Sequence, residues 1–114
     1  MSAMTELIDA QVEAYRARDL DRFLAFFAQD VAVTDFDGSV LMQGVEGMRA
    51  NYGPLFTNSP DLTVEVKSRI ETGPFVIDLE HLEGFNNPPY PQVFDAGCVY
   101  RIIERKIIAM KFLL

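Results

Sequence analysis

The spacing of apolar residues predicts helices in the first half of the chain. Apolar residues recur at helical intervals over residues 5–18 and form one stripe that also contains Gln11. Asp19 is placed to end this helix and to cap a second, short helix that runs through Ala28. A third helix is predicted over residues 45–57, so helices dominate the N-terminal half.

Alternating apolar and polar residues predict strands elsewhere. A short strand at about residues 30–36 and a return strand at residues 40–42 are joined by a two-residue turn, Asp37-Gly38. The clearest period-two pattern follows, and its members expected to face the core are Leu62, Val64, Val66, Ser68 and Ile70. Three further strands are predicted at residues 75–85, 92–103 and 106–114. Helices followed by a mainly antiparallel sheet define an α+β class.

The composition indicates a globular protein with a single domain. The 114 residues suffice for one domain, residues 1–114, and the 49% apolar content indicates a globular chain. No segment has the roughly 20 apolar residues of a membrane span, and the N-terminus lacks a signal-peptide pattern. The net charge of −7 disfavours nucleic acid and anionic membranes as partners. The single cysteine, Cys98, excludes an internal disulfide and favours a reducing cytoplasm.

Metal and cofactor sites are not predicted. The chain has one histidine and one cysteine, far apart in sequence, which argues against a zinc site. No Gly-rich phosphate loop and no Ser-His-Asp set is present. The expectation is therefore a protein that needs neither metal nor cofactor.

The C-terminal strand is apolar on both faces. Ile107, Ala109 and Leu113 alternate with a second apolar set, Ile108, Met110, Phe112 and Leu114. One face can pack on the helices, and the other also needs cover because large exposed apolar patches are unusual in monomers. A homodimer through the sheet is the simpler explanation, and a sheet that curls and buries both faces is the alternative.

Asp35 stands out as a candidate general base. It shares strand parity with Val31 and Val33, so a core-facing strand would also turn this carboxylate inward. An acid in apolar surroundings has a raised pKa, which suits proton transfer. The structural alternative is that Asp35 accepts hydrogen bonds from the backbone of the turn that follows it.

Several segments together resemble the NTF2-like superfamily, most closely its ketosteroid isomerase and SnoaL-like polyketide cyclase branches. The segments are Arg18-Asp-Leu-Asp21, Phe27-Ala-Gln-Asp-Val31, Val33-Thr-Asp35, Gly44-Val-Glu-Gly-Met-Arg49, Val99-Tyr-Arg-Ile102 and Lys106-Ile-Ile-Ala-Met-Lys-Phe112. The resemblance implies a cone-shaped half-barrel, in which a curved sheet wraps around two to three N-terminal helices. It also implies an apolar pocket and a dimer made through the sheet.

Only one of the three catalytic residues of the isomerases has a matching residue in this chain. Asp35 falls on the position of the isomerase base, whereas Gln11 falls where those enzymes carry a tyrosine. Near Cys98 a second acid would be expected, and Asp95 lies on the opposite face by parity. One match in three argues against steroid isomerisation and leaves cyclase-like and dehydratase-like chemistry open.

Further residues are expected to line the pocket or its rim. They are Tyr15, Phe27, Met48, Tyr52, His81, Cys98 and Tyr100. His81 is a candidate proton shuttle or a residue at the dimer seam, and it lies on the strand face opposite Asp78 and Glu80. A cysteine without a nearby histidine favours a small core residue over a nucleophile.

The sequence thus supports a first hypothesis and two alternatives. The first is a cofactor-independent enzyme acting on a small apolar carbonyl compound, with Asp35 moving a proton and Gln11 or a tyrosine binding the oxygen. The second is a non-catalytic protein that binds a small hydrophobic ligand. The third is an interaction module whose pocket is filled by its own side chains, namely Phe23, Phe27, Met48 and Tyr52.

Overall fold

The computed structural model describes residues 2–114, which form three helices and six strands. The helices are α1 (Ala3–Arg16), α2 (Leu20–Leu24) and α3 (Gly44–Asn58). The strands are β1 (Phe27–Thr34), β2 (Val40–Gln43), β3 (Thr63–Thr72), β4 (Phe75–Glu83), β5 (Phe94–Ile103) and β6 (Lys106–Leu113). The predicted α+β class and element order are confirmed.

Short polar residues begin the first two helices. The Ser2 hydroxyl accepts a hydrogen bond from the Thr5 backbone N–H at 3.0 Å. The Asp19 carboxylate accepts one from Arg22 N–H at 3.3 Å and caps α2, as predicted. Such caps satisfy backbone donors that have no partner within the helix. The prediction that α2 runs through Ala28 is wrong, because Phe27 already begins β1.

The six strands form one curved, unclosed sheet in the order β2-β1-β6-β5-β4-β3. Strands β1 and β6 are parallel, and every other neighbouring pair is antiparallel. The parallel pair brings the N-terminal β1 beside the C-terminal strand. The inner face of the sheet packs against the helices, and the core lies between them.

A bulge in β3 changes which residues face the core. The register with β4 shifts between Val66 and Ser68, so two β3 residues share one pairing step. Beyond the bulge Arg69 turns inward, whereas Ile70 is 59% exposed. The predicted inward orientation of Ser68 and Ile70 is therefore wrong, because a strict period of two does not survive the extra residue.

A second irregularity lies in the last hairpin. Ile107 and Met110 are both buried although their parity differs, because the register of β5 with β6 shifts between Arg101 and Ile102. The two-residue turn before β6 consists of Glu104 and Arg105, which have φ values of 51° and 64°. These are left-handed conformations that glycine or asparagine adopts more readily.

The helices of residues 2–114 include none that is long and apolar enough to cross a membrane.

Candidate acid–base site in an internal cavity

A cavity of about 260 Å³ lies between the helices and the inner face of the sheet. Most of its wall is apolar and aromatic, and no lysine, arginine or histidine of residues 2–114 contributes to it. The polar side chains on the wall are Gln11, Tyr15, Asn51, Tyr52, Glu80, Asn87, Tyr90, Cys98 and Tyr100. Phe23 and Tyr52 reach the wall but leave the space open, which does not favour a pocket filled by side chains.

Glu80 is the acid of this cavity. It lies on the inner face of β4, opposite Ala96 of β5, and is 8% exposed. Burial raises the pKa of its carboxyl to about 7, a hydrogen bond from Cys98 lowers it, and the charge of Asp78 raises it. Both protonation states are therefore populated at neutral pH, so the carboxyl can accept or donate a proton.

Cys98 orients this carboxyl. Its buried thiol donates a hydrogen bond to Glu80 Oε1 over 3.1 Å. Burial raises the pKa of the thiol, and the nearby charge of Glu80 raises it further. Cys98 thus remains protonated and acts as a donor, since a nucleophilic cysteine requires a lowered pKa.

Three tyrosine hydroxyls accompany the acid. Burial raises the pKa values of Tyr15, Tyr52 and Tyr100, and the charge of Glu80 raises them further. The hydroxyls consequently stay neutral and can donate hydrogen bonds. The Tyr15 and Tyr52 rings contact Phe23 edge-to-face, with centroid distances of 5.7 and 4.9 Å. This packing holds both rings in place.

Gln11 lies on the same wall, one helical turn before Tyr15. Its side chain is 4% exposed, and its Oε1 has no hydrogen-bond partner among residues 2–114. From the sequence, Gln11 is predicted to bind a substrate oxygen. The structure places it on the cavity wall, and the role itself remains a prediction.

A second buried acid is neutralised by an arginine. The Asp78 carboxylate receives two hydrogen bonds from Arg69, Nε to Oδ1 at 2.6 Å and Nη2 to Oδ2 at 2.9 Å. The Nη1 of Arg69 also contacts Asp9 of α1 at 2.6 Å. The bidentate pair satisfies Asp78 and ties α1 to β3 and β4. Glu80 is left as the acid without a cationic partner.

Asp35 lies outside the cavity wall. Strand β1 ends at Thr34, and the Asp35 carboxylate accepts a hydrogen bond from Ser39 N–H at 2.9 Å within the following turn. The side chain is only partly buried. The prediction that this carboxylate shares the inward face of Val31 and Val33 is therefore wrong, and the turn-capping alternative describes its position.

Three other predicted lining residues also lie elsewhere. Phe27 and Met48 are buried in the core but do not reach the cavity. His81 points to the outer face of the sheet, where Nδ1 lies 2.7 Å from Asp95 and Nε2 lies 2.9 Å from Glu83. The hydrogen bonds that the imidazole donates to Asp95 and then to Glu83 raise the pKa of His81. The imidazole is thus held by two surface acids.

The loop between β4 and β5 contributes aromatic residues to the cavity wall. Phe85 contacts Tyr90 and Phe94 edge-to-face at centroid distances of 6.2 and 5.0 Å, and all three line the cavity. The loop is anchored to the end of α3, because Asn86 N–H donates to Ser59 Oγ at 3.0 Å.

Glu80 was not singled out from the sequence, although a signal was present. Val76, Asp78, Glu80 and Leu82 share one parity in β4, and the two apolar members are core residues. Two acids on an apolar strand face are costly unless they are paired or neutral. That pattern could have identified Glu80 as a candidate. In residues 2–114 no group of three or more His, Cys, Asp or Glu side chains could hold a metal ion.

Comparisons with known proteins agree with this architecture. The SnoaL-like domain family matches residues 8–110. An uncharacterised cystatin-fold protein from Novosphingobium aromaticivorans is 26% identical, with a TM-score of 0.87 over 100% of this chain and 99% of that chain. A search of curated proteins found no match.

Two more distant structures share the fold. A protein from Catenulispora acidiphila with a ketosteroid isomerase-like fold, solved in complex with trimethylamine, is 17% identical with a TM-score of 0.78, covering 96% of this chain and 85% of that one. A putative polyketide cyclase from Sinorhizobium meliloti is 16% identical with a TM-score of 0.78, covering 99% of this chain and 100% of that one.

The chain has an NTF2-like α+β fold, with a cavity between its helices and its sheet. Within that class, the chain belongs to the SnoaL-like domain family.

Proposed function

We propose that this protein binds a compact, uncharged and mainly apolar carbonyl compound and that Glu80 moves a proton on it. The observation that carries the proposal is a buried carboxyl with a pKa of about 7 on the wall of a largely apolar cavity. The absence of basic side chains from the described wall supports an uncharged ligand. The volume of about 260 Å³ supports a small one, since ligand pockets usually measure about 300–1,000 Å³.

The proposed chemistry is proton transfer at the carbon next to the carbonyl. Ionised Glu80 would remove that proton, and the electron pair would move to the carbonyl oxygen to form an enolate. A neutral tyrosine hydroxyl, from Tyr15, Tyr52 or Tyr100, would donate a hydrogen bond to the oxygen as its charge develops. Protonated Glu80 would then return the proton to the same carbon, which gives exchange with solvent, or to a conjugated carbon of the enolate, which gives an isomerised product.

The test is hydrogen–deuterium exchange on a panel of small ketones in D₂O, followed by proton NMR. Glu80→Gln is expected to reduce the catalysed rate by about 100-fold or more, because a positioned general base contributes roughly 10²–10⁴-fold. The control, Asp35→Asn, alters an acid outside the cavity and should retain the rate. Equal rates for wild type and Glu80→Gln would remove Glu80 as the base. Saturable binding without exchange would instead support the non-catalytic alternative.

A second copy of the chain is the proposed partner of the outer sheet face. Leu79, Gly97 and Leu113 lie in one row across β4, β5 and β6. The two leucines are 44% and 37% exposed, and Ile70 beside them is also exposed. An apolar centre of this kind supports association through the sheet.

Charges on either side of this row favour a two-fold arrangement. Arg101 and Lys111 lie on one side, and Asp95 and Glu83 lie on the other. A two-fold axis along the row would bring the basic side of one copy over the acidic side of its partner. This self-complementary pattern is what an isologous dimer requires.

A further inference from the structure

Glu80 reaches Cys98 diagonally across two neighbouring strands. In the register of β4 and β5, Glu80 lies opposite Ala96, and Cys98 lies two residues further along β5, buried on the same inner face. Diagonal neighbours of this kind are about 7–8 Å apart, so only a long side chain spans the gap. The Glu80 side chain spans it, and its Oε1 accepts the hydrogen bond of the Cys98 thiol over 3.1 Å. The sheet therefore fixes the direction in which this carboxyl leans.

The two oxygens of the Glu80 carboxyl have different surroundings. Oε1 accepts the thiol hydrogen bond, and no other group of residues 2–114 makes a hydrogen bond of ordinary geometry to this side chain. Oε2 is consequently without a partner in this part of the chain. It is not sealed from solvent either, because Gln11 Oε1 is the only side-chain nitrogen or oxygen of these residues that is both sealed and unpartnered. Since Glu80 lines the cavity, its accessible oxygen faces that space.

A thiol suits this position because it is a weak hydrogen-bond donor. Burial raises the pKa of Glu80, and the Cys98 hydrogen bond lowers it, since a donor stabilises the ionised carboxylate. Without a donor the acid would stay protonated at neutral pH, and a stronger donor would keep it ionised. The thiol thus keeps both forms populated and leaves Oε2 to the ligand.

We propose that Cys98 is the positioning residue of the acid–base site: its thiol holds Oε1, so that Oε2 is the oxygen that removes and returns the ligand's proton. Cys98 itself exchanges no proton with the ligand and forms no bond to it. This inference rests on the proposed proton transfer by Glu80, and it adds which oxygen performs the transfer and what holds that oxygen in place.

The test compares replacements of Cys98 with a matched control. Cys98→Val fills the space without a donor, Cys98→Ala does the same with a smaller side chain if the valine variant does not fold, and Cys98→Ser retains a donor. Ile102→Val is the control, because Ile102 is another buried residue of β5 that has no side-chain donor and does not line the cavity. The pKa of Glu80 is measured in each protein by carbon NMR of the side-chain carboxyls during a pH titration. The signal that is missing in Glu80→Gln assigns the group.

In Cys98→Val and Cys98→Ala the pKa of Glu80 should be higher than in wild type by about half to one pH unit, since a net hydrogen bond contributes about that much. In Cys98→Ser it should equal the wild-type pKa or lie below it, and in Ile102→Val it should be unchanged. Every variant retains the other titratable groups that act on Glu80 or feel its charge, namely Asp78, Arg69, Tyr15, Tyr52 and Tyr100. An unchanged pKa in both donor-free variants, or a serine variant that titrates like them, would overturn the inference.

The pH dependence of ketone exchange gives a second readout. Its midpoint should follow the pKa of Glu80 through the series, whereas KM should change little because the thiol acts through Glu80. A raised KM with an unchanged midpoint would mean that Cys98 binds the ligand directly, and the positioning role would then be wrong.

The outcome is separable from that of the proposed proton transfer, because the NMR titration requires no turnover. Exchange that depends on Glu80, together with one pKa for all the Cys98 variants, would keep the base and overturn the role of Cys98. Exchange that is unaffected in Glu80→Gln would overturn the proton transfer, and the positioning role with it, even if the pKa values follow the predicted order.

Discussion

Replacing Glu80 with glutamine is expected to stabilise the protein at neutral pH but not at acidic pH. The carboxyl has an ordinary pKa of 4.5 and a folded-state pKa of about 7, mainly because it is buried. Between these values the folded protein holds a proton that the unfolded chain has released. The free energy of unfolding therefore falls as the pH rises from about 4.5 to about 7. Glutamine has no such ionisation and is nearly the same size.

The size of the effect follows from the two pKa values. Their difference, at about 1.4 kcal/mol for each pH unit, corresponds to about 3 kcal/mol. The variant and wild type should differ little in this contribution at pH 4. Above pH 7 the Glu80→Gln protein should be more stable by about 3 kcal/mol, relative to their difference at pH 4. With urea m-values of about 1–3 kcal/mol per M, the unfolding midpoint would move by roughly 1–3 M.

Urea unfolding followed by circular dichroism at pH 4, 5, 6, 7 and 8 measures this difference, since the chain has no tryptophan for fluorescence. His81 also has a raised pKa, so its stabilising contribution is lost as the pH rises through that value. This contribution is common to both proteins and cancels in the difference. A difference that stays constant from pH 4 to pH 8, or that decreases, would refute the assignment of Glu80 as a buried acid with a raised pKa.

Three further substitutions test the structure. Arg69→Met should lower the free energy of unfolding by roughly 3–5 kcal/mol, measured with urea, because it leaves Asp78 buried and unpaired. Adding Asp78→Leu should restore most of that free energy, and no recovery would contradict this explanation. Replacing Glu104 and Arg105 by Asn and Gly should raise the stability by about 1 kcal/mol in thermal unfolding, because both positions have positive φ; a loss would show that the native side chains contribute more than the strain. Leu79→Lys should convert the proposed dimer to a folded monomer in sedimentation velocity, and an unchanged sedimentation coefficient would exclude this face.

The order of elements followed from local chemistry. Helical spacing of apolar residues and the Asp19 cap act over a few residues, so they can be recognised in one sequence. The prediction of a two-residue turn at Asp37-Gly38 is wrong, because Gly38 N–H donates to the Asp35 carbonyl and the connection runs from Asp35 to Ser39. The bulges could not be recognised in that way. The register shift between Val66 and Ser68 depends on how β3 pairs with β4. That pairing is made by contacts between the two strands and leaves no local pattern in the sequence of β3.

Asp35 shows the same limit at a strand end. Its parity with Val31 and Val33 was interpreted correctly as far as the strand extends, but β1 ends one residue earlier, at Thr34. The carboxylate then bonds to Ser39 N–H within the turn. The predicted end at about residue 36 lies two residues beyond the observed end, and that error was enough to place a turn-capping acid on the core-facing side of the strand.

The choice of Glu80 as the titrating acid depends on the bulge in β3. Without the extra residue, Arg69 would keep the outward parity that the sequence assigns to it, and Asp78 would lie on the inner face without a cation. The two acids, two residues apart on β4, would then compete for one proton. With the bulge, Arg69 turns inward and forms its bidentate pair with Asp78. Asp78 is thereby paired with a cation, and Glu80 is the acid of this strand face that has none.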